Sequence, residues 1–328
     1  MDNVLTHAVK EVHILGHQDI PGNVFHIAMT GTADYIPHMG VVMMSAVRYN
    51  PDLPMAFHFF VNELSKKEKE NLEMVSSEIQ SRIYVHIVDD SAFETLLLSD
   101  RVAAFFYRFL IPPAMEGITD RVLYLDGDMM CRGSLKGLAD ADLDGYAAAV
   151  VSDRLEVLQI QRVHTGRYFN AGMMLINVKQ WKQDQLFDSV VLMAQQNVAK
   201  VGTRLSHHDQ DIQNVLLDGK VLFLPKKYNY LYNLDRQSIF KKQPVNEPYE
   251  KQVIIHFAGH AKPWHSWVQR WPVVQEYAAL QGQTPWKNVP VVLPKGKKNL
   301  HQAARTARME GRYGDMIRWY GKYFAEKV

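Results

Sequence analysis

Two carboxylates directly after an apolar run are the residues of this chain best placed to do chemistry. The run Val122 to Leu125 is typical of a buried strand, and Asp126-Gly-Asp128 follows it without a gap. A strand that ends in this way presents both carboxylates at the edge of a sheet. Carboxylate oxygens suit Mg²⁺ or Mn²⁺, and such an ion usually keeps positions for water and substrate phosphate. The pattern therefore predicts a divalent-cation site that faces a diphosphate.

Placement after a strand distinguishes this pair from another acidic cluster of the chain. Asp140, Asp142 and Asp144 show the same alternation, but no apolar strand precedes them. Ordinary aspartate usage gives about one Asp-x-Asp by chance in a chain of this length. We therefore interpret residues 140–144 as a solvated loop.

The block His256-Phe-Ala-Gly259-His-Ala-Lys262-Pro-Trp-His265 is the second group of interest. The histidine at the end of an apolar run can bind a metal, the glycine lets backbone approach phosphate, and the lysine brings a positive charge. On its own such a histidine is more often a structural residue with satisfied hydrogen bonds. The block therefore indicates a metal and phosphate site only in combination with the two aspartates.

Four further polar residues have both a functional and a structural interpretation. Asn170 precedes Gly172 and an apolar strand, so its amide suits sugar hydroxyls but also ordinary turn chemistry. Asp209 and Gln210 open a predicted helix, where the aspartate can be a simple N-cap. Arg108 lies in the apolar run 105–110, so a buried guanidinium there needs an anionic partner, either a diphosphate or an aspartate.

Strands and helices alternate along the first part of the chain, and this order predicts a parallel sheet. Ligands of open α/β sheets bind beyond the carboxyl ends of the strands, so the loop after Met29 and the aspartates are expected to meet. We predict strands over residues 24–29, 55–61, 82–88, 122–125, 146–151, 173–177 and 253–256, and helices over 37–48, 99–111, 178–201 and 209–218, with a further helix opened by the capping box at 65–68.

Composition limits the classes of protein to which the chain can belong. The 328 residues are 47% hydrophobic, enough for one large α/β domain with an appended piece. The single cysteine, Cys131, excludes an intrachain disulfide and fits a reducing compartment. No secretory signal and no run of about 18 apolar residues is visible, so the cytoplasm is the expected location.

The net charge of +2 is unevenly distributed, because residues 295–328 hold nine basic and three acidic side chains. Aromatic residues such as Tyr313, Trp319 and Phe324 are interleaved with these charges. The combination predicts an amphipathic surface helix suited to anionic lipid; the alternative is a helix that packs on its own domain. Nothing else in the chain is basic enough to follow a nucleic-acid backbone.

In this order, the strand with Asp126-Gly-Asp128, the block 169–172, the block 209–211 and the histidine block resemble glycosyltransferase family 8, the retaining transferases that use nucleotide sugars. The resemblance covers about residues 24–267. Within the family, the chain looks most like the bacterial enzymes that build the outer core of lipopolysaccharide. It implies a single Rossmann-like α/β nucleotide-sugar-binding domain of the GT-A type, with a mixed, mostly parallel sheet and a small helical C-terminal region. We place that domain at residues 23–271, after an N-terminal extension (1–22) and before a basic, aromatic region (272–328).

The resemblance also assigns roles to residues. It implies that Asp126, Asp128 and His256 hold Mg²⁺ or Mn²⁺. One departure is Thr32, where the family commonly has an acidic residue, with Asp34 close by. The implied contacts to the UDP-sugar are Ala28, Thr30, Asp34, Gly127, Ala171, Gly259 and Lys262 besides the two aspartates, and the implied sugar pocket consists of Arg108, Asn170, Asp209 and Gln210.

The implied activity is transfer of a hexose, glucose first and galactose second, from its UDP derivative to the lipopolysaccharide core. The partners would be the donor, the core acceptor and an anionic surface, at the inner face of the cytoplasmic membrane. Gln210 is a poor nucleophile, which favours attack on the sugar from the face that UDP leaves. The alternatives are a metal-dependent hydrolase or nucleotidyltransferase, and a sugar-binding module without activity.

Overall fold

Strands make up the centre of the computed structural model, which describes residues 7–16, 23–93, 103–153, 162–199, 208–234 and 248–326. The strands are β1 (Val9–Leu15), β2 (Phe25–Thr30), β3 (Met55–Val61), β4 (Arg82–Val88), β5 (Arg121–Leu125), β6 (Met129–Cys131), β7 (Ala148–Ser152), β8 (Phe169–Asn177), β9 (Val221–Phe223), β10 (Tyr230–Leu231) and β11 (Ile254–His256).

Eight of these strands form a mixed sheet in the order β1-β4-β3-β2-β5-β8-β7-β9. The pairs β3–β4, β2–β3, β2–β5 and β7–β9 are parallel, whereas β1–β4, β5–β8 and β7–β8 are antiparallel. A second sheet has the order β10-β11-β6. The predicted α/β fold with a mixed, mostly parallel sheet is confirmed.

Helices cover both faces of the large sheet. They are α1 (Ile36–Arg48), α2 (Lys66–Ile79), α3 (Ile111–Met115), α4 (Lys136–Ala139), α5 (Val178–Gln183), α6 (Leu186–Ala199), α7 (His208–Leu216), α8 (Pro272–Gln281), α9 (Gly296–Met309) and α10 (Tyr313–Ala325). Strand β3, which is apolar except for His58, is buried at every position, because helices shield each side of the sheet. The N-cap half of the predicted capping box is present, since Ser65 Oγ accepts from the Glu68 amide at 3.1 Å, whereas the Glu68 carboxylate accepts from the Trp286 ring N–H.

The prediction of one long helix over residues 99–111 is wrong in its described part; residues 94–102 lie outside the described ranges. Two short 3₁₀ turns, Ala103–Phe105 and Tyr107–Leu110, stand there instead. Pro112 and Pro113 do not stop a helix. They lie in the first turn of α3, where a main-chain N–H has no partner within the helix and proline therefore costs no hydrogen bond. Arg108 lies in the second of these turns and reaches the Ala171 carbonyl of β8.

Three other predicted bounds also changed. The strand predicted at 173–177 begins at Phe169, which places Asn170 inside β8. The helix predicted over 178–201 is divided in its described part into α5 and α6, with Gln185 in the left-handed region (φ 50°) between them. The strand predicted at 146–151 begins at Ala148.

Described segments on both sides of the predicted domain, 23–271, contribute to the packed structure. Strand β1 pairs with β4 at the edge of the large sheet. Helix α8 buries Val273, Val274 and Tyr277 in the same apolar cluster as Trp264. The domain limits at residues 22 and 271 therefore stay predictions. None of the helices within the described ranges combines the length and apolar character that crossing a bilayer requires.

Candidate active site

The two aspartates lie in the turn that leads from the large sheet to the small one. This turn joins the end of β5 to the start of β6, and the main-chain N–H of Asp126 donates to Gly172 of β8 at 2.8 Å. β6 runs antiparallel to β11, where His256 stands opposite Met129. Strand pairing therefore brings a histidine that is 128 residues downstream of Asp128 beside both carboxylates.

These three side chains form a group that fits a divalent cation. One ligand atom from each of Asp126, Asp128 and His256 lies within 4.8 Å of the other two. His256 Nε2 is 3.3 Å from Asp128 Oδ1 and 3.8 Å from Asp126 Oδ2. Asp128 Oδ1 is buried and accepts no hydrogen bond from the described residues. A buried carboxylate oxygen left without a donor is what a cation would satisfy, and the oxygen and nitrogen donors suit Mg²⁺ or Mn²⁺.

Lys262 places a positive charge on the other oxygen of Asp128. Its Nζ contacts Asp128 Oδ2 and donates to the Phe257 carbonyl at 3.0 Å. Burial by itself would raise the pKa of Asp128, but the charge of Lys262 outweighs it and holds that pKa well below its usual range. The carboxylate is therefore charged at neutral pH, ready to hold a cation.

The loop between His256 and Lys262 turns sharply at Gly259, whose φ of 103° favours glycine. Beyond the turn, the Lys262 amide donates to His265 Nδ1 at 3.1 Å. Trp264 stacks on His38 with ring centroids 3.6 Å apart. The loop that holds Lys262 is thus fixed against helix α1.

Arg108 is buried and has the anionic partners that its apolar surroundings require. Its guanidinium is 3.2 Å from Asp126 Oδ1 and 3.2 Å from Asp209 Oδ2, and it donates to the Ala171 carbonyl at 3.1 Å. Burial would lower the pKa of Arg108, but Tyr124 and the two aspartates raise it above its ordinary value. Arg108 therefore remains charged and joins the cation group to α7.

Asn170 and Gln210 hold each other's side-chain amides in place. Gln210 Oε1 accepts from Asn170 Nδ2 at 3.2 Å and from the Ala171 amide at 3.0 Å. Gln210 Nε2 donates to Asp153 Oδ2 at 3.0 Å. Burial is the largest influence on Asp209 and raises its pKa, although Arg108 opposes this. The polar groups predicted for the sugar pocket thus lie together.

The first loop is brought to the site only in part. Thr30 Oγ1 lies 3.3 Å from the Tyr124 hydroxyl, which in turn contacts Asp126. Asp34 is exposed and contacts Thr32. Ala28 lies inside β2 and is fully buried, and its contact to the uridine stays a prediction. Gly127 lies against the ring of Tyr35.

Sequence reasoning missed three residues of this site. Tyr124 orients Asp126, Asp153 accepts from Gln210, and Asn229 lies 3.0 Å from His256 Nδ1. Tyr124 was visible as a hydroxyl inside an apolar strand. Asp153 directly follows β7 and Asn229 follows the 3₁₀ turn Lys226–Tyr228, but no local pattern marks either residue as part of a site.

Comparisons with known proteins agree with this geometry. The family model described as glycosyl transferase family 8 matches residues 26–268. A lipopolysaccharide 1,3-galactosyltransferase of Salmonella typhimurium is 29% identical, over 93% of this chain and 91% of that protein. A lipopolysaccharide 1,2-glucosyltransferase of Escherichia coli is 30% identical, over 80% of this chain and 79% of that protein.

A solved structure has the same fold. The galactosyltransferase LgtC, crystallised with donor and acceptor sugar analogues, superposes with a TM-score of 0.65 at 23% identity, over 80% of this chain and 96% of that one. At this identity the likeness concerns the fold, which both chains share.

Proposed function

The chain belongs to glycosyltransferase family 8, and on that premise we propose that it transfers a hexose from UDP-hexose to a sugar hydroxyl of a lipopolysaccharide core, with retention to give an α-glycosidic bond. The observation that carries the proposal is one site that joins the group Asp126, Asp128 and His256 to Lys262 and to Arg108. We place glucose first as the donor sugar and galactose second, and relatives named for each transfer support both.

The phosphate side of the site stabilises the leaving group. Asp126, Asp128 and His256 would hold Mg²⁺ or Mn²⁺, which supplies Lewis-acid charge to a diphosphate when bound. The Lys262 ammonium lies beside the same carboxylate and can contact a phosphate oxygen. Its attraction strengthens as the bond to UDP breaks, because negative charge then builds on the diphosphate. Lys262 therefore acts mainly in the transition state.

The sugar side of the site orients the ring. Double displacement requires a carboxylate beneath the anomeric carbon, but the position implied for it is Gln210, an amide fully engaged by hydrogen bonds. We propose front-face attack instead. The bond from the anomeric carbon to UDP breaks while the acceptor oxygen bonds to the same face, and the hydroxyl proton passes to the departing phosphate.

The last helix, α10, is proposed as the membrane-facing element. Tyr313, Ile317 and Phe324 recur at helical spacing and are 63%, 67% and 78% exposed, so they form one apolar stripe. Arg318 and Lys322 lie near the Trp319 ring, at 4.9 Å and 5.1 Å. An exposed apolar stripe flanked by cations suits the anionic inner face of a cytoplasmic membrane, where a lipid-linked acceptor would be reached.

The test is incubation with UDP-glucose or UDP-galactose and Mn²⁺, with and without core acceptor from a strain that lacks the gene. A transferase releases UDP mainly when acceptor is present, and NMR of the product should show an α anomer. Acceptor-independent release of UDP would instead identify a nucleotide-sugar hydrolase. Comparison of kcat/KM for the two donors then decides between glucose and galactose.

A further inference from the structure

A row of side-chain hydrogen bonds connects the cation group to the predicted sugar pocket. His256 Nδ1 lies 3.0 Å from Asn229 Oδ1, and Asn229 Nδ2 lies 3.0 Å from Asn170 Oδ1. Asn170 Nδ2 then lies 3.2 Å from Gln210 Oε1, and Gln210 Nε2 lies 3.0 Å from Asp153 Oδ2. Asn229 is the link between the two halves of the site.

Two main-chain amides fix the direction of every bond in this row. The Gly172 N–H donates to Asn170 at 3.1 Å, and the Ala171 N–H donates to Gln210 at 3.0 Å. The side-chain atoms that receive these bonds must be oxygens, because an amide NH₂ cannot accept. Asn229 must therefore present its NH₂ to the Asn170 oxygen, and its own oxygen then faces His256.

The orientation of Asn229 determines the tautomer of His256. A carbonyl oxygen opposite Nδ1 requires that Nδ1 carry the hydrogen, so the neutral ring has its lone pair on Nε2. Nε2 is the atom that faces the carboxylates of Asp128 and Asp126. A lone pair directed at two carboxylates is the arrangement of a metal ligand whose other nitrogen is held by a hydrogen-bond acceptor.

We propose that Asn229 is a positioning residue that fixes His256 for cation binding and, through the same amide, fixes Asn170 in the sugar pocket. This inference rests on the proposed function, because it assigns Asn229 to the same reaction. Each hydrogen bond donates in the direction from His256 to Asp153. Charge bound at Nε2 makes the Nδ1 hydrogen a better donor, and hydrogen bonds in a row strengthen one another.

An asparagine meets requirements that few other side chains could meet at this position. Asn229 is 1% exposed, so neither of its neighbours can take water in its place. Its main-chain N–H is held by the Lys226 carbonyl at 3.1 Å, which sets the side chain just before β10. Only a side-chain amide of this length offers an acceptor to His256 and a donor to Asn170 together.

The two functions of Asn229 can be separated by substitution. Asn229→Ala removes both hydrogen bonds, and we expect Mn²⁺ affinity, measured by electron paramagnetic resonance, to fall by about 10- to 100-fold, with a lower kcat. Asn229→Asp keeps an acceptor for His256 but has no donor for Asn170. We expect it to bind Mn²⁺ about as well as the wild type while kcat falls by roughly 10-fold or more.

The matched control is Asn50→Ala. Asn50 is also buried, but its side chain bonds only to main-chain groups of Ala46, Gly133 and Leu135. This variant should lose stability without a change in Mn²⁺ affinity. Equal loss of Mn²⁺ affinity in Asn229→Ala and Asn229→Asp would overturn the inference, as would wild-type affinity and kcat in both.

A measurement on the wild type is independent of whether any variant folds. The ¹⁵N chemical shifts of the His256 ring should show hydrogen on Nδ1 at neutral pH, and hydrogen on Nε2 alone would overturn the inference. Failure of the wild type to transfer sugar from any UDP-hexose would contradict the proposed function instead. The ring shifts and the Mn²⁺ affinities would still decide the role of Asn229.

Discussion

Gly172 of β8 leaves the space that the ring of His256 occupies. A Cβ at this position would lie 2.5 Å from His256 Cε1 and 2.7 Å from Asp126 Oδ2. Contacts that short require one of the predicted metal ligands to move. We therefore expect Gly172→Ala to lower Mn²⁺ affinity by about 10-fold or more, as the loss of a residue that orients a metal ligand does. The rate of sugar transfer should fall with it. Isothermal titration with Mn²⁺ measures the change.

Gly314→Ala is the control for this substitution. Gly314 lies in α10, and a Cβ there meets no atom within 4 Å. The change should leave cation binding unaltered and stabilise the helix by up to about 1 kcal/mol. Normal Mn²⁺ affinity in Gly172→Ala would show that the ion does not use His256 and Asp126 together.

Asp128→Ala should abolish transfer and weaken UDP binding in the presence of metal. The substitution removes a ligand oxygen and leaves Lys262 without its carboxylate partner. The circular dichroism spectrum should be unchanged, because Asp128 lies in a turn whose main-chain bond to Phe257 does not need the side chain. Near-normal activity of the purified variant with EDTA present would contradict the assignment.

Lys262→Ala should reduce kcat by roughly 10²-fold, as loss of one preorganised charge in a transition state does. Steady-state kinetics with varied UDP-hexose separate the two roles that a cation can have here. Lys262→Arg keeps the charge and should retain more turnover than the alanine variant. An unchanged kcat with only a higher KM would mean that Lys262 contributes to binding alone.

Stability should fall in mild acid because three buried histidines stack across β2, β3 and β4. His58 bonds to His26 at 2.9 Å and to His86 at 3.2 Å. Burial lowers the pKa of His26 and of His86 to about 4, from 6.5 in the unfolded chain. The unfolded chain therefore takes up protons first, and stability declines as pH drops from about 6.5 towards about 4.

Each of these two histidines should lower the free energy of unfolding by about 2 kcal/mol as the pH falls from about 7.5 to about 5. His86→Phe keeps the stacking on Phe60 and removes one titrating group. The free energy of unfolding, measured with urea, should therefore fall by about 2 kcal/mol less over this pH range than in the wild type. His164→Gln, at an exposed position, is the control and should leave the slope alone. An identical pH slope in His86→Phe would refute the explanation.

Removal of residues 312–328, which contain α10, should release the protein from anionic vesicles. It should also depress activity on a membrane-bound acceptor more than activity on a soluble acceptor fragment. Each basic residue near such a surface contributes about 1 kcal/mol, and salt screens the attraction. Co-sedimentation at low and high salt measures the effect.

Two exposed residues test the same surface without truncation. Ile317→Ser with Phe324→Ser removes two of the three residues of the apolar stripe, and both are exposed, so vesicle binding should weaken while the protein stays folded. Met74→Ser, at a position 59% exposed on α2, is the control. If the double variant sediments like the wild type, α10 only packs on its own domain.

The sequence predicted those parts of the fold whose signal is local. The strand 55–61 was predicted at its observed bounds, because seven consecutive apolar or aromatic positions stand between Pro54 and Asn62. The capping box at Ser65 and Glu68 was equally clear. Arg108 was predicted to need an acidic partner, and Asp126 and Asp209 supply it.

The remainder depends on long-range contacts that no local pattern contains. Residues 103–110 form 3₁₀ turns although their composition suits a helix, since packing of Tyr107 and Phe109 in the core decides the backbone. Asn229 meets His256 only because β10 pairs with β11. The role of Ala28 at the uridine is implied by the family resemblance, whereas its burial follows from the strands on either side of β2.

The position of the cation group between two sheets affects more than the chemistry. Asp126 directly follows β5 of the large sheet, and His256 ends β11 of the small one. An ion that holds both would also fasten the sheets to each other, so its binding free energy adds to the free energy of unfolding. A ligand that binds only the folded chain raises the melting temperature by mass action. Melting curves recorded with Mn²⁺ and a panel of nucleotide sugars should therefore rank the donors without any acceptor.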